Sequence, residues 1–186
     1  MAPASTSSTS QMSVVAVLLL LFPIALADSA LHQLILGACK TVGGGSTYVG
    51  IDFCEDALNS VAVGSGVDLD YQLLGGIVVG LLADNATSTK TKIDSLLKAE
   101  DKAAVSRCLL SCQSLYGGIL DGGPACTAAV KAKKFGDATA ILEKAAAAAK
   151  GCKDGFGKSN VTSPLTAEDG NAFELAKLGV GLLRFA

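Results

Sequence analysis

The sequence predicts an all-α fold, an up-down four-helix bundle preceded by an N-terminal helical hairpin. Apolar residues recur at spacings of three and four along four long segments, and no segment alternates as a half-buried strand does. The connections between these segments are short, as in bundles whose consecutive helices are antiparallel. The chain has 186 residues, of which 50% are hydrophobic, and this composition suits one domain and excludes a disordered chain.

The first long helix is expected to begin after residues 61–67 and to reach Lys98. Two neighbouring apolar rows form its buried stripe: Leu69, Leu73, Ile77 and Leu81, widened by Leu74, Val78 and Leu82. Asp68 and Asp70 lie near its N-terminus, where the helix dipole favours negative charge.

The second long helix is expected to start near Asp101. Its residues repeat at intervals of three and four, as in a packing seam, through Val105, Cys108, Cys112, Leu115 and Ile119. Gly122-Gly123-Pro124 follows this seam. Because proline inside a helix removes a hydrogen bond, a kink or break is expected there.

The last two long helices follow a basic connection over Lys131–Gly136. The third is expected to begin at Asp137, with one face made of Ala138, Ile141, Ala145, Ala148 and Cys152. The fourth carries Leu175, Leu178, Leu182 and Phe185. Thr166–Asp169 predicts a capping box at its start, with Asp169 in the place of the usual Glu or Gln.

Residues 1–27 have the pattern of a secretory signal peptide. They contain no charged residue, and Val14–Phe22 is too short to span a bilayer. Ala25-Leu26-Ala27 has the small residues that signal peptidase requires. The alternative, a membrane anchor, is disfavoured by the short run. Cleavage would release a secreted domain over 28–186, with hairpin and linker at 28–67 and bundle at 68–186, and no later segment is apolar enough to span a membrane.

All six cysteines follow the predicted signal peptide, and an even number in a secreted chain predicts disulfides. A Cys39–Cys54 bond would staple two short helices predicted over 28–40 and 52–60. Reflecting Cys152 through a turn near Phe135 places it about 9 Å from Cys112 along the helix, and farther from Cys126 and Cys108. The last two could bond only if Gly122–Pro124 reverses the chain; otherwise they are buried thiols, or one bonds to another chain.

Other chemistry is sparse. His32 is the only histidine and there is no CxxC pair, which argues against a metal site and against Ser-His or Cys-His catalysis. No motif for a cofactor is present, and the net charge of −2 offers no footprint for nucleic acid. The sequence therefore indicates a non-enzymatic protein without cofactor or metal. Asn85-Ala-Thr87 and Asn160-Val-Thr162 are N-glycosylation sequons.

Five pieces of sequence carry a family resemblance by their order and spacing: Cys39-Lys-Thr; Asp52-Phe53-Cys54 with Ala57-Leu58; Leu110-Ser111-Cys112 with Leu115-Tyr116; Cys152-Lys-Asp-Gly-Phe156; and Ser163-Pro164-Leu165-Thr166. Together they resemble the plant invertase and pectin methylesterase inhibitors. The resemblance implies a hairpin on a four-helix bundle, disulfides Cys39–Cys54 and Cys112–Cys152, and a secreted inhibitor of the apoplast or cell wall. It also implies one-to-one binding that covers the target's active-site cleft. Cys108, Cys126 and the Gly-Gly-Pro segment depart from the family pattern.

The target could be either of two enzymes. Invertase inhibitors similar to this chain carry Pro-Lys-Phe where it has Lys133-Lys134-Phe135, so Lys134 would meet cleft carboxylates and Phe135 would add apolar contact. The missing proline favours pectin methylesterase, and the alternative for this segment is an ordinary connection with Phe135 as a core anchor. For pectin methylesterase the candidate surface is a polar face of the first long helix, with Asn85 at its edge: Thr87, Ser88, Thr91, Asp94 and Ser95.

Two further alternatives belong to other classes. A cavity between helices lined by Leu and Ala would make the chain a small-ligand carrier, and a bundle without a target would be structural. The hairpin has little core of its own, so it could also pack on a second copy in a homodimer.

Overall fold

The computed structural model describes residues 32–61 and 70–186, so the predicted signal peptide, Asp68 and Leu69 lie outside the described residues. The described part is helical and contains no strand, which confirms the all-α prediction. Its helices are α1 over 32–43, α2 Ile51–Asn59, α3 Tyr71–Ala99, α4 Ala103–Lys131, α5 Phe135–Lys158 and α6 Thr166–Leu183. Helix α4 packs between α3 and α5, and α6 closes the ring against α5 and α3.

Helix α3 begins at a side-chain cap. The Oδ1 atom of Asp70 accepts a 2.7 Å hydrogen bond from the backbone N–H of Leu73, which satisfies one of the free donors of the first turn. The buried row of α3 is Leu74, Val78 and Leu82, whereas Leu73, Ile77 and Leu81 are only half-buried. The two rows are one position apart in the sequence. The core-facing side of α3 is therefore rotated by one residue from the row that the sequence predicted as its centre.

Helix α4 runs without interruption through Gly122–Pro124, so of the kink or break expected there the break does not occur. Pro124 faces solvent, where water can satisfy the carbonyl that loses its backbone donor. A methyl group at Gly122 would lie 3.2 Å from Cγ2 of Ile141, so glycine here allows α5 to approach closely. Packing on both flanks keeps the segment helical despite its local preference.

The predicted capping box at the start of α6 is also wrong. Ser163 lies two residues before the cap position, and its hydroxyl oxygen accepts a 3.1 Å hydrogen bond from the N–H of Leu165. Thr166 is already helical and donates its hydroxyl proton to the carbonyl of Ser163 at 3.1 Å. Asp169 is buried and turned into the bundle.

Two disulfides cross-link the fold, and they are the pairs that the family resemblance implies. Cys39–Cys54 joins α1 to α2 with Cα atoms 5.6 Å apart, and Cys112–Cys152 joins α4 to α5 with Cα atoms 4.8 Å apart. The second pair lies in the interior, so it ties the central helices together at core depth.

Cys108 and Cys126 are buried thiols at opposite ends of the α4–α5 contact. The Sγ of Cys108 lies 3.3 Å from the hydroxyl oxygen of Ser159, and the Sγ of Cys126 lies 3.7 Å from the carbonyl of Ala138. Because α4 is continuous, about 27 Å of helix separates them. No disulfide can bridge that distance, and the chain reversal considered for these cysteines does not occur.

The hairpin formed by α1 and α2 packs on the outside of its own bundle. The ring of Tyr48 meets Phe173 edge to face with centroids 5.7 Å apart. Lys177 Nζ lies 5.2 Å from the centroid of the Tyr48 ring and forms a 2.6 Å ion pair with Glu143. The contacts of Tyr48 with Phe173 and Lys177, together with Val42 against Gly181, attach the hairpin to α6, and the ion pair ties Lys177 to α5. Leu34 and Ile51 remain exposed on its outer side.

Candidate partner-binding surface

The α4–α5 turn, residues 132–134, is a Schellman motif. Lys133 adopts the left-handed conformation with φ 56°. Its N–H donates to the carbonyl of Val130 at 3.1 Å, and the N–H of Lys134 donates to the carbonyl of Ala129 at 2.9 Å. This pair of bonds closes a helix end tightly. The turn is thus shorter than the connection expected over Lys131–Gly136 and is held by backbone hydrogen bonds.

The three residues compared with the invertase motif are presented differently from one another. Lys133 and Lys134 are exposed, whereas Phe135 is the first residue of α5 and packs half-buried against the core. The turn can therefore present two ammonium groups to a partner. Phe135 has the position expected of a core anchor, the alternative considered for it.

The polar face of α3 presents hydrogen-bond acceptors. Thr87 and Thr91 are exposed, but their hydroxyl protons are donated within the helix, to the carbonyls of Ala83 at 2.8 Å and of Thr87 at 3.0 Å. Ser95 donates to the carbonyl of Thr91 in the same way. Because each proton is used by the helix itself, these hydroxyl groups can offer a partner only the lone pairs of their oxygens. Such a face is complementary to donors, above all to lysine and arginine side chains.

Asp94 lies at the edge of this face, at the seam between α3 and α4. Its carboxylate is half-buried and accepts a hydrogen bond from the side-chain amide of Gln113. Gln113 therefore fixes the carboxylate in place and leaves it one more oxygen for a partner. With Ser88, whose hydroxyl donates to the carbonyl of Asn85 at 2.9 Å, the face combines four hydroxyl oxygens with one oriented negative charge.

The structure does not bring the two candidate surfaces together. Gln113, within α4, contacts the polar face of α3, while Val130, near the C-terminal end of α4, accepts a 3.0 Å hydrogen bond from the side-chain amide of Gln72. Those two positions on α4 are about 25 Å apart along the helix. The α4–α5 turn with Lys133 and Lys134 (the lysine turn) and the polar face of α3 (the threonine face) are therefore separate surfaces: the turn lies at one end of the bundle and the face lies along the middle and C-terminal half of α3.

The two sequons differ in their surroundings. Asn160 is exposed and left-handed, with φ 55°, in a second Schellman turn that ends α5. Asn85 lies within α3, half-buried, and its Oδ1 atom is buried without a hydrogen-bond partner. A glycan could extend freely from Asn160, whereas one on Asn85 would leave the bundle beside the threonine face.

Sequence reasoning missed a buried polar pair. The hydroxyl of Tyr116 donates a 2.8 Å hydrogen bond to Oδ1 of Asp169, and both side chains are inside the bundle. Tyr116 follows Cys112 by four residues and so lies on the inward face of α4. A buried tyrosine hydroxyl needs a hydrogen-bond partner. That requirement was the one signal in the sequence for a polar group near Tyr116. Asp169 was not recognised as this partner because its position also fits a capping box.

A space between α3, α4 and α5 tests the small-ligand hypothesis. It is lined by core side chains such as Leu82, Cys126 and Leu142 and encloses about 10 Å³. That is room for at most one water molecule, so this part of the core cannot take a ligand. A larger groove of about 400 Å³ lies between α4 and α5 and is lined by side chains such as Leu115, Ile141 and Ala148. The small-ligand alternative therefore stays a prediction. Among the described residues, no helix is both long and apolar enough to cross a membrane.

The sequence model of the plant invertase/pectin methylesterase inhibitor family matches residues 33–179. The chain belongs to this family. The match confirms the resemblance. Both disulfides and both candidate surfaces lie inside the matched range. No curated protein matches the chain significantly.

Solved structures of pectin methylesterase inhibitors share the fold of this family member. A mutant form A of an inhibitor from Arabidopsis is similar with a TM-score of 0.68 and 14% identity, covering 78% of this chain and 95% of that chain. An inhibitor from Arabidopsis thaliana is similar with a TM-score of 0.60 and 14% identity, covering 73% and 87%. At this identity the likeness establishes the helical architecture, and the target has to be argued from the chain's own surface.

Proposed function

We propose that the chain is a secreted, non-catalytic inhibitor of a plant cell-wall carbohydrate-active enzyme, pectin methylesterase, which it blocks one-to-one by covering the active-site cleft. The observation that carries the proposal is the family match over 33–179, which spans the hairpin and nearly all of the bundle. Invertase, engaged through Lys133-Lys134-Phe135, is the second candidate target.

The position of Phe135 favours pectin methylesterase over invertase. An inserting loop needs an apolar side chain that is free to enter the target, but Phe135 is half-buried at the start of α5. The adjoining turn is closed by two backbone hydrogen bonds. Withdrawing Phe135 would expose core surface, a cost that binding would have to recover.

The threonine face of α3 supplies the alternative docking surface. It is flat and helical, so little conformational entropy is lost when a partner covers it. Its hydroxyl oxygens and the carboxylate of Asp94 suit a cleft rim that carries lysine, arginine or backbone N–H donors. We propose Thr87, Thr91 and Asp94 as the centre of the interface.

Extracellular location is part of the proposal. The two disulfides and the predicted signal peptide over 1–27 both support secretion to the apoplast or cell wall. We propose Asn160 as the glycosylated sequon that leaves docking unhindered, and intact-mass measurement before and after glycosidase treatment tests its use. A homodimer through the exposed side of the hairpin stays a prediction, supported by exposed Leu34 and Ile51.

Titration against both enzymes tests the proposed function. The purified secreted chain is added to pectin methylesterase and to invertase at mildly acidic pH, and residual activity is followed to the end point. We expect pectin methylesterase to lose activity with a one-to-one end point while invertase keeps its activity. Inhibition of invertase alone would reverse the choice of target, and inhibition of neither enzyme would refute the proposal.

A further inference from the structure

A polar cluster lies inside the bundle where α3, α4 and α6 meet. Tyr116 is fully buried and Asp169 is 1% exposed, and the phenol donates to Oδ1 of the carboxyl group at 2.8 Å. The second oxygen of Asp169, Oδ2, is buried without a hydrogen-bond partner. Thr89 of α3 is also fully buried and lies beside the phenol, with its own proton donated to the carbonyl of Asn85 at 2.7 Å.

No cation compensates this carboxyl group directly. Among the described residues, no lysine or arginine nitrogen forms an ion pair with Asp169. Lys92 of α3 reaches across to α6, but it is bound at 2.6 Å to the adjacent Glu168. Lys153 of α5 acts on Asp169 only at longer range, from an exposed position. The remaining charge that faces the group, Glu168 itself, is negative.

A carboxyl group in this setting favours its neutral form. An ionised carboxylate needs several donors or a cation in the interior, and here it has one phenol. Burial raises the pKa of Asp169 to about 6, opposed by the hydrogen bond from Tyr116 and assisted by the charge of Glu168. The pKa of the Tyr116 phenol is raised by burial and by Asp169, so the phenol keeps its proton and stays a donor.

The helix dipole does not reverse this preference. Asp169 is in the first turn of α6, where the helix dipole gives a negative charge only a modest stabilisation. Leaving a buried carboxylate with an unpaired oxygen costs more than that gain. In the folded protein the carboxyl group of Asp169 is therefore mostly neutral below its raised pKa.

We propose that Asp169 is a protonation-dependent latch: its neutral carboxyl group fastens the first turn of α6 to α3 and α4, and its ionisation loosens that turn. In the unfolded chain the carboxyl group of Asp169 ionises near the ordinary pKa of aspartate. Between that pKa and the raised pKa of the folded state, the folded protein therefore holds one more proton than the unfolded chain. Stability from the latch is complete below pH 4 and is lost as the pH rises through about 6. The latch is closed under acidic conditions and loosened at neutral pH.

Thermal unfolding of the secreted chain and of Asp169→Asn tests the latch without any target enzyme, so the result is independent of the proposed function. Asparagine keeps a carbonyl acceptor for Tyr116 and cannot ionise. Relative to Asp169→Asn, we expect the melting temperature of the natural chain to fall by about 5 °C between pH 4 and pH 7. Other titrating groups are common to both chains, so the difference isolates Asp169.

Asp154→Asn is the matched control. Asp154 is an exposed carboxylate whose pKa is lowered by its hydrogen bond to Lys150, so this variant should keep the pH dependence of the natural chain over pH 4–7. The proposal would be overturned if the melting temperatures of Asp169→Asn and of the natural chain changed in parallel between pH 4 and pH 7.

Two measurements on the natural chain decide the question if Asp169→Asn fails to fold. The carbon NMR shift of the Asp169 carboxyl group should titrate near pH 6, and a midpoint below pH 4 would overturn the latch. Amide exchange over residues 166–172, corrected for intrinsic rates, should become faster above pH 6. Unchanged corrected rates across that interval would equally refute the loosening.

Discussion

Val42 of α1 packs directly onto Gly181 of α6, and a methyl group added at Gly181 would overlap Cγ1 of Val42. This close approach is one of the contacts that hold the hairpin against the bundle. A β-branched valine has no long flexible end that could turn aside. Gly181→Ala should therefore weaken hairpin docking and destabilise the fold by about 1–3 kcal/mol.

Urea unfolding checks this prediction, with Gly80→Ala as the control. Gly80 lies in α3 with no atom within 4 Å of an added methyl group, so alanine there should be neutral or stabilising through its helix propensity. Equal stability of the two variants would show that the hairpin does not rely on Gly181.

Tyr116→Phe should destabilise the protein more at neutral than at acidic pH. The phenol is the donor seen for Asp169, and its hydrogen bond holds the pKa of that carboxyl group down. Without it the pKa rises further, and the ionised carboxylate at pH 7 loses its only donor. We expect a loss of about 1–3 kcal/mol at pH 7 and a smaller loss at pH 5, measured by chemical unfolding. The same loss at both values would mean that the hydroxyl does not act through Asp169.

The two free thiols should resist labelling while the protein is folded. Both are buried, and burial raises the pKa of Cys126 to about 11, so little thiolate is present at pH 8. A thiol reagent should label two groups only in denaturant under non-reducing conditions. Rapid labelling of the native protein would indicate exposure, and no labelling in denaturant would indicate a third disulfide.

Thr91→Lys should weaken inhibition of pectin methylesterase at least tenfold, or about 1.4 kcal/mol. The substitution replaces an exposed acceptor with a long cation at the centre of the threonine face. Lys133→Ala, in the α4–α5 turn away from this face, should leave inhibition unchanged. Inhibition constants measured side by side decide this, and a larger effect at Lys133 would place the interface at the α4–α5 turn.

Phe135→Ala separates a core anchor from a binding residue. Because Phe135 packs half-buried against the core, we expect a stability loss of about 2 kcal/mol. Inhibition per folded molecule should not change. A loss of invertase binding of about 2 kcal/mol or more without a drop in melting temperature would instead identify Phe135 as an interface hot spot.

Capping preferences and apolar periodicity predicted the helices well where the tertiary packing favours the same local structure. Asp70 lies near the expected start of α3 and is its cap. Such rules failed where packing supplied a stronger interaction. Pro124 lies inside a continuous helix because its flanks are packed and its free carbonyl can be hydrated. Asp169 matched a capping pattern, yet its side chain is buried against Tyr116.

The sequence by itself determined the helical class, the order of the four long helices and, through family resemblance, the cysteine pairs found in the two disulfides. The helical class and the helix order follow from apolar periodicity and short connections, whereas the cysteine pairs follow from the family resemblance. Only the tertiary structure decided that Phe135 starts a helix, that the lysine turn and the threonine face are far apart, and that Tyr116 meets Asp169. Those relationships join residues distant in sequence, and burial between packed helices sets their energies.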